Sequence, residues 1–170
     1  MRATLWPMTS RPTVLARRLG VVVALLMGSG LVVTAGPAEA ATPAAPSAAT
    51  VAAYEARVVY QINVQRVKYS RGKLAANACP DKYAETWAAY LARTGTFYHR
   101  NLIPILSGCK ATRVAENLAR GYTSADSTVA AWMASPGHRA NILDARLNKI
   151  GVAAVYARGQ WTVAADFTRS

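Results

Sequence analysis

The chain has 170 residues, two cysteines, two histidines and a formal charge of +12, from 20 Lys+Arg against 8 Asp+Glu. That length holds one ordinary domain, and 52% apolar residues with two cysteines exclude a disordered chain, a collagen and a disulfide-dense mini-protein. Only one long apolar run exists, which excludes a multi-span membrane protein.

That run lies in the first forty residues. Met1 to Arg18 carries Arg2, Arg11, Arg17 and Arg18 and no acid, and Leu19 to Thr34 is almost wholly apolar. Ala38-Glu39-Ala40 then supplies a small-x-small end, so residues 1–40 read as a secretory signal peptide and the protein as secreted and extracellular. The rival is an uncleaved anchor, since Leu19 to Ala38 is near the ~20 residues that cross a bilayer. Gly28, Gly30, Gly36 and Pro37 favour cleavage. Arg17-Arg18-Leu19 faintly suggests a twin-arginine signal, but its flanks are poor and ordinary secretion is preferred. Removal after Ala40 leaves 130 residues with 16 basic and 7 acidic side chains, net +9, and no membrane span. Residues 41–50, rich in Ala and Pro and uncharged, read as a linker, and 51–170 as the folded domain.

Apolar residues at 51, 54, 58 and 62, widened by Val59 and Val67, predict a helix over Val51 to Lys68. Pro80 suits a helix first turn, and Tyr83, Ala84, Trp87, Ala88 and Leu91 give a second buried stripe that stops near Gly95. Residues 96–115 lack period and read as a loop pinned by Cys109. Glu116 to Ala119 is a short strand or turn. Thr123-x-x-Asp126 starts a third helix carrying Val129, Trp132 and Met133, which Pro136-Gly137 breaks before one more turn from His138 to Leu143. Alternation at 150–156 and 161–167 around Arg158-Gly159 predicts a hairpin. Trp87, Trp132 and Trp161 fall at core positions. Helices followed by an antiparallel hairpin make the fold class α+β in stacked layers.

In an exported chain the even pair Cys79 and Cys109 reads as a disulfide, preferred over two buried thiols or a nucleophile. Few groups can bind metal or move protons near neutral pH: His99, His138 and the acids, among which Glu116 lies in an apolar setting. Singly, each has a plain structural explanation as a cap or a satisfied buried group.

The series Asn63-x-x-Arg66, Leu74, His99, Ala115-Glu116-Asn117-Leu118-Ala119, Trp132-x-x-Ser135-Pro136-Gly137-His138-Arg139-x-Asn141-Ile142-Leu143 and Ile150-Gly151-Val152 resembles the CAP superfamily. This superfamily comprises the cysteine-rich secretory, antigen 5 and pathogenesis-related 1 proteins, also called SCP domains, and its compact bacterial branch matches best. The resemblance covers about residues 55 to 168. It implies a three-layer α-β-α sandwich with a central antiparallel sheet and a cleft lined by two His and two acids. Those positions fall on His99, His138 and Glu116, while Ser135 stands where many members carry the second acid. Two imidazoles and a carboxylate resemble an open His2Glu site for zinc or another divalent metal. The resemblance also implies a cleft that binds such metals weakly, without an agreed catalytic activity.

Two functions compete. One is a monomeric, non-catalytic extracellular binding module for a lipid, a sterol or an anionic cell-wall component, the last suggested by the charge. The other is a metal-dependent hydrolase with His99 and His138 as ligands and Glu116 as ligand or base. Glycan cleavage by paired carboxylates is weaker, because Glu116 is the only acid in a pocket-like motif. No specific nucleic-acid partner is expected, since the basic residues are scattered and no recognition motif occurs.

Overall fold

The fold is described for residues 44–170 of a computed structural model, and the signal peptide expected at 1–40 lies outside the described residues. Helix α1 spans Ala48–Lys68 and starts ahead of the expected Val51, because the Ser47 hydroxyl accepts the Thr50 N–H and caps it. Tyr54, Val58, Ile62 and Arg66 form its buried seam. Val67 does not widen that seam; it is exposed, a third of a turn from it. The buried Arg66 guanidinium donates to the carbonyls of Gly72, Ile142, Asp144 and Leu147 at 2.6–3.1 Å. The Asn63 amide clasps Leu74, donating to its carbonyl and accepting its N–H. Together these side chains fix the chain leaving α1.

Strand β1 is only Ala75–Ala76. Helix α2, Ala78–Thr94, is capped by Asn77 and ended by Gly95, whose φ of 77° is readily adopted only by glycine. The expected loop over 96–115 contains more structure than that. Helix α3 runs Ile103–Gly108 with a proline in its first turn, and β2 begins at Arg113 and ends at Arg120. A helix of six residues is too short to show a period. Cys79 and Cys109 form a disulfide, with Cα atoms 5.7 Å apart, that ties the start of α2 to the end of α3. Helix α4, Ala125–Ala134, has a capping box made by Ser124 and Ser127, one residue beyond the expected Thr123 and Asp126. Helix α5 spans Pro136–Leu143. Strands β3, Lys149–Ala157, and β4, Gln160–Arg169, meet in a hairpin whose turn residues Arg158 and Gly159 both have positive φ.

The sheet order is β1-β3-β4-β2. Strands β2, β3 and β4 pair antiparallel as expected, and the short β1 adds a parallel pair with β3, which makes the sheet mixed. Odd positions of β4 and even positions of β3 (Trp161, Val163, Ala165, Phe167; Ile150, Val152, Ala154) pack with α1 and α4 around Ile62, Val129 and Trp132. The opposite face carries Leu118, Ala153 and Ala164 against Ala84, Ala88 and Leu91 of α2. This is the α-β-α sandwich. Small residues let α2 lie close, and at Gly151 a side chain would strike the backbone of Pro80 and Asp81. Trp132 and Trp161 are core residues as expected, but Trp87 is only half-buried and carries the Arg100 guanidinium on its ring face. Among the described residues no helix is long and apolar enough to cross a membrane.

Candidate functional site

Strand β2 is an edge of the sheet. The Gly121 N–H donates to Trp161 O just past its end, so odd residues of β2 bond to β4 and even residues turn their backbone outward. Side chains from the α4–α5 layer satisfy the outward carbonyls: Trp132 Nε1 donates to Leu118 O at 2.8 Å, and Asn141 Nδ2 to Glu116 O at 3.1 Å. Asn117 in turn donates to His138 O at 3.1 Å and accepts from Asn141 at 2.9 Å. The block from Trp132 to Asn141 is thus a row of donors for an edge strand, and it seats His138 beside β2.

The side chains of β2 alternate between layers. Leu118 packs toward α2, and Glu116, two residues before it, faces the same way, opposite Asp166 of β4 in the register. Two carboxylates in such a pair repel. Arg100 lies between them: its Nε is 3.0 Å from Glu116 Oε2, one terminal nitrogen donates to Asp166 Oδ2, and the other donates to Tyr83 O at 2.6 Å. The remaining Glu116 oxygen is 2.8 Å from His99 Nδ1. The Glu116 side chain is 1% exposed and that of His99 58%, so the row runs from the interior to solvent. Burial pushes Asp166 up to about 7 against the pull of Arg100, and Glu116 adds to the rise.

His99 and Arg100 are carried on the segment after α2, and aromatic packing holds it there. Trp87 stacks on Tyr90 at 5.1 Å, and Tyr98 meets Trp87 edge-on at 5.2 Å. Phe97 lies under the Arg120 guanidinium, which donates to the carbonyls of Leu91, Gly95 and Thr96 at the end of α2. The ring centroids of His99 and His138 are 6.3 Å apart. Burial lowers the His138 pKa, and the neighbouring His99 lowers it further. His99, Leu102, Val114, Ala115, Glu116 and Asn141 line an open cleft of about 350 Å³.

The structure therefore bonds His99 to Glu116 and sets His138 close by. Sequence reasoning missed Arg100 and Asp166. Asp166 sits at an even position of β4, where alternation suggested solvent. Its neighbours on that face, Thr162, Ala164 and Thr168, are small, and this was the available sign of a covering layer. Among the described residues no group of three or more His, Cys, Asp and Glu is placed to hold a metal ion.

A model of the cysteine-rich secretory protein family, CAP, matches residues 59–167. This chain belongs to the CAP family. The uncharacterized protein YkwD of Bacillus subtilis is 32% identical over 130 residues, which is 71% of this CAP chain and 49% of that protein. The chain thus spans about half the length of that relative. Among solved structures, an extracellular protein containing an SCP domain from Bacillus anthracis str. Ames matches with a TM-score of 0.65 at 19% identity, over 74% of this chain and 44% of that one. NaASP2, whose structure is with Zn2+, matches with a TM-score of 0.54 at 12% identity, over 73% of this chain and 83% of that one. At these identities the two structures share the fold.

Proposed function

We propose that this CAP protein is exported and acts outside the cell as a non-catalytic binding module. Its ligand is a lipid, a sterol or an anionic cell-wall polymer, and His99 in the cleft, with His138 beside it but outside the cleft lining, serves a weakly held divalent cation such as zinc. The state of Glu116 carries this reading. Its carboxylate is buried, with one oxygen on His99 and the other against Arg100. A carboxylate so engaged orients an imidazole, as outer-sphere groups do in metal sites, instead of exchanging protons with a substrate. With Nδ1 of His99 directed at Glu116, its Nε2 is left toward the cleft.

The residues present fit a cation held by two imidazoles and completed by water. Zinc enzymes use about three protein ligands and structural zinc sites about four, so weak, exchangeable binding follows. Bound zinc would supply positive charge to polarise a ligand oxygen. The disulfide suits an oxidising compartment, and the net charge suits an anionic target. The competing reading, a metal-dependent hydrolase, needs an acid or base within reach of substrate. Glu116 and Asp166 are both buried, which counts against it and against paired-carboxylate glycan cleavage.

Zinc titration by calorimetry tests the cleft, with one weak site expected in the wild type and none in His99→Ala or His138→Ala. A hydrolytic activity on wall fragments or esters that vanishes on chelation and in His138→Ala would replace the binding reading by the hydrolase. Retention on anionic vesicles or wall fragments, falling as salt rises, is the expected sign of the anionic ligand.

A further inference from the structure

At the end of the sheet where β2 begins and β4 ends, Thr112, Arg113, Ala145, Arg146 and Arg169 surround a concavity of about 490 Å³. Arg113 and Arg169 are direct cross-strand partners, so two guanidinium stems leave the sheet side by side. Like charges set opposite one another destabilise a sheet, and the arrangement calls for a counter-charge.

Asp144 supplies part of it. Its carboxylate takes the Nε of Arg113 at 2.6 Å and the Nε of Arg146 at 2.9 Å, plus a second nitrogen of Arg146 at 3.1 Å. The Arg146 hydrogen bonds, with those of Arg113, hold Asp144 well below the usual carboxylate range, so it stays ionised. Asp144 is thus one side-chain carboxylate set against the three guanidiniums that line the concavity. Arg169 has no carboxylate partner among the described residues, and Arg113 keeps its terminal nitrogens free of Asp144. One oxygen of Ser170 accepts from the Asn148 amide on the β3 side.

Guanidinium groups spread around a pocket match the tetrahedral oxygens of phosphate through paired N–H donors, which ammonium groups cannot do. We propose that this arginine basin binds a phosphate group, as a monoester or diester, with Arg169 and Arg113 as its principal donors and Asp144 as the group that positions Arg113 and Arg146. The proposal rests on the reading of this protein as a binder of anionic ligands, and gives that ligand a chemistry and a place whose lining shares no residue with the histidine cleft.

The test uses the chain from residue 41 onward, labelled with 15N, and follows the arginine Nε–H signals while inorganic phosphate is added at constant ionic strength. Saturable shifts are expected for Arg113, Arg146 and Arg169, with affinity reduced at least fivefold in Arg169→Gln and unchanged in Arg158→Gln. Arg146→Gln, which leaves Arg113 on Asp144, should weaken binding less than Arg169→Gln. Shifts no larger than those from chloride, or insensitive to Arg169→Gln, overturn the proposal. Co-sedimentation with phosphatidylglycerol vesicles separates the sources. Vesicle binding displaced by inorganic phosphate identifies a lipid headgroup, and phosphate shifts without vesicle binding identify a soluble phosphate; both support the basin. Salt-sensitive vesicle binding that Arg169→Gln leaves intact removes the basin while preserving the wider anionic reading.

Discussion

On the α1 side of the sheet, buried Arg66 is met by four backbone carbonyls; on the α2 side, Arg100 lies between the carboxylates of Glu116 and Asp166. The first face is filled by large apolar groups such as Ile62, Trp132 and Phe167, the second by alanines and a charged row that ends at exposed His99. Carbonyls do not titrate, so the Arg66 site is a staple whose strength is indifferent to pH. The Arg100 site holds Asp166, which burial pushes up to about 7, and therefore responds to protons. The carbonyl-held arginine and the carboxylate-held arginine lie on opposite sides of one sheet.

That contrast is open to direct attack. Arg66→Met should cost about 4 kcal/mol in denaturant unfolding, because several carbonyls lose a charged donor at once, and the loss should be equal at all pH values near neutrality. A strongly pH-dependent loss would mean that Arg66 is coupled to an acid after all. On the other face Asp166 titrates at about 7 when folded, against about 3.9 in an unfolded chain. Its contribution is fully present below the lower value and is lost as pH rises through the upper one, on the order of 4 kcal/mol. Wild-type stability should therefore fall relative to Asp166→Asn between about pH 4 and pH 7, as followed by urea midpoints. Parallel curves would show that Arg100 keeps the acid ionised throughout. Gly151→Ala, which presses on the backbone at the start of α2, should cost about 2 kcal/mol with little change in the zinc titration. The smallest effect is spectroscopic: the His138 ring should titrate below an ordinary histidine in NMR, and His99→Ala should raise it by removing the neighbouring ring that lowers it.

Much of this design was legible in the residues. The seam Tyr54–Val58–Ile62, the stripe Ala84–Ala88–Leu91 and the turn at Arg158-Gly159 follow directly from period and turn chemistry. His99, Glu116 and His138 were singled out because protonatable groups were scarce. The Arg100–Asp166 half stayed hidden because pairing across strands depends on register, which no local pattern declares. Strand β1 escaped for a similar reason: two alanines have no alternation, and only the β3 backbone makes them a strand. The shift of the α4 cap from Thr123 to Ser124 shows that two adjacent hydroxyls can both satisfy a capping pattern.

The lateral margins of the sheet are finished differently. One ends in a stub of two residues, while the other, β2, is eight residues long and has its carbonyls at Glu116 and Leu118 plugged by Asn141 and Trp132. A foreign strand seeking a ladder would find those rungs already occupied, which is how natural sheets avoid lamination into fibrils. Trp132 and Asn141 thus guard a border of the sheet against pairing with another chain.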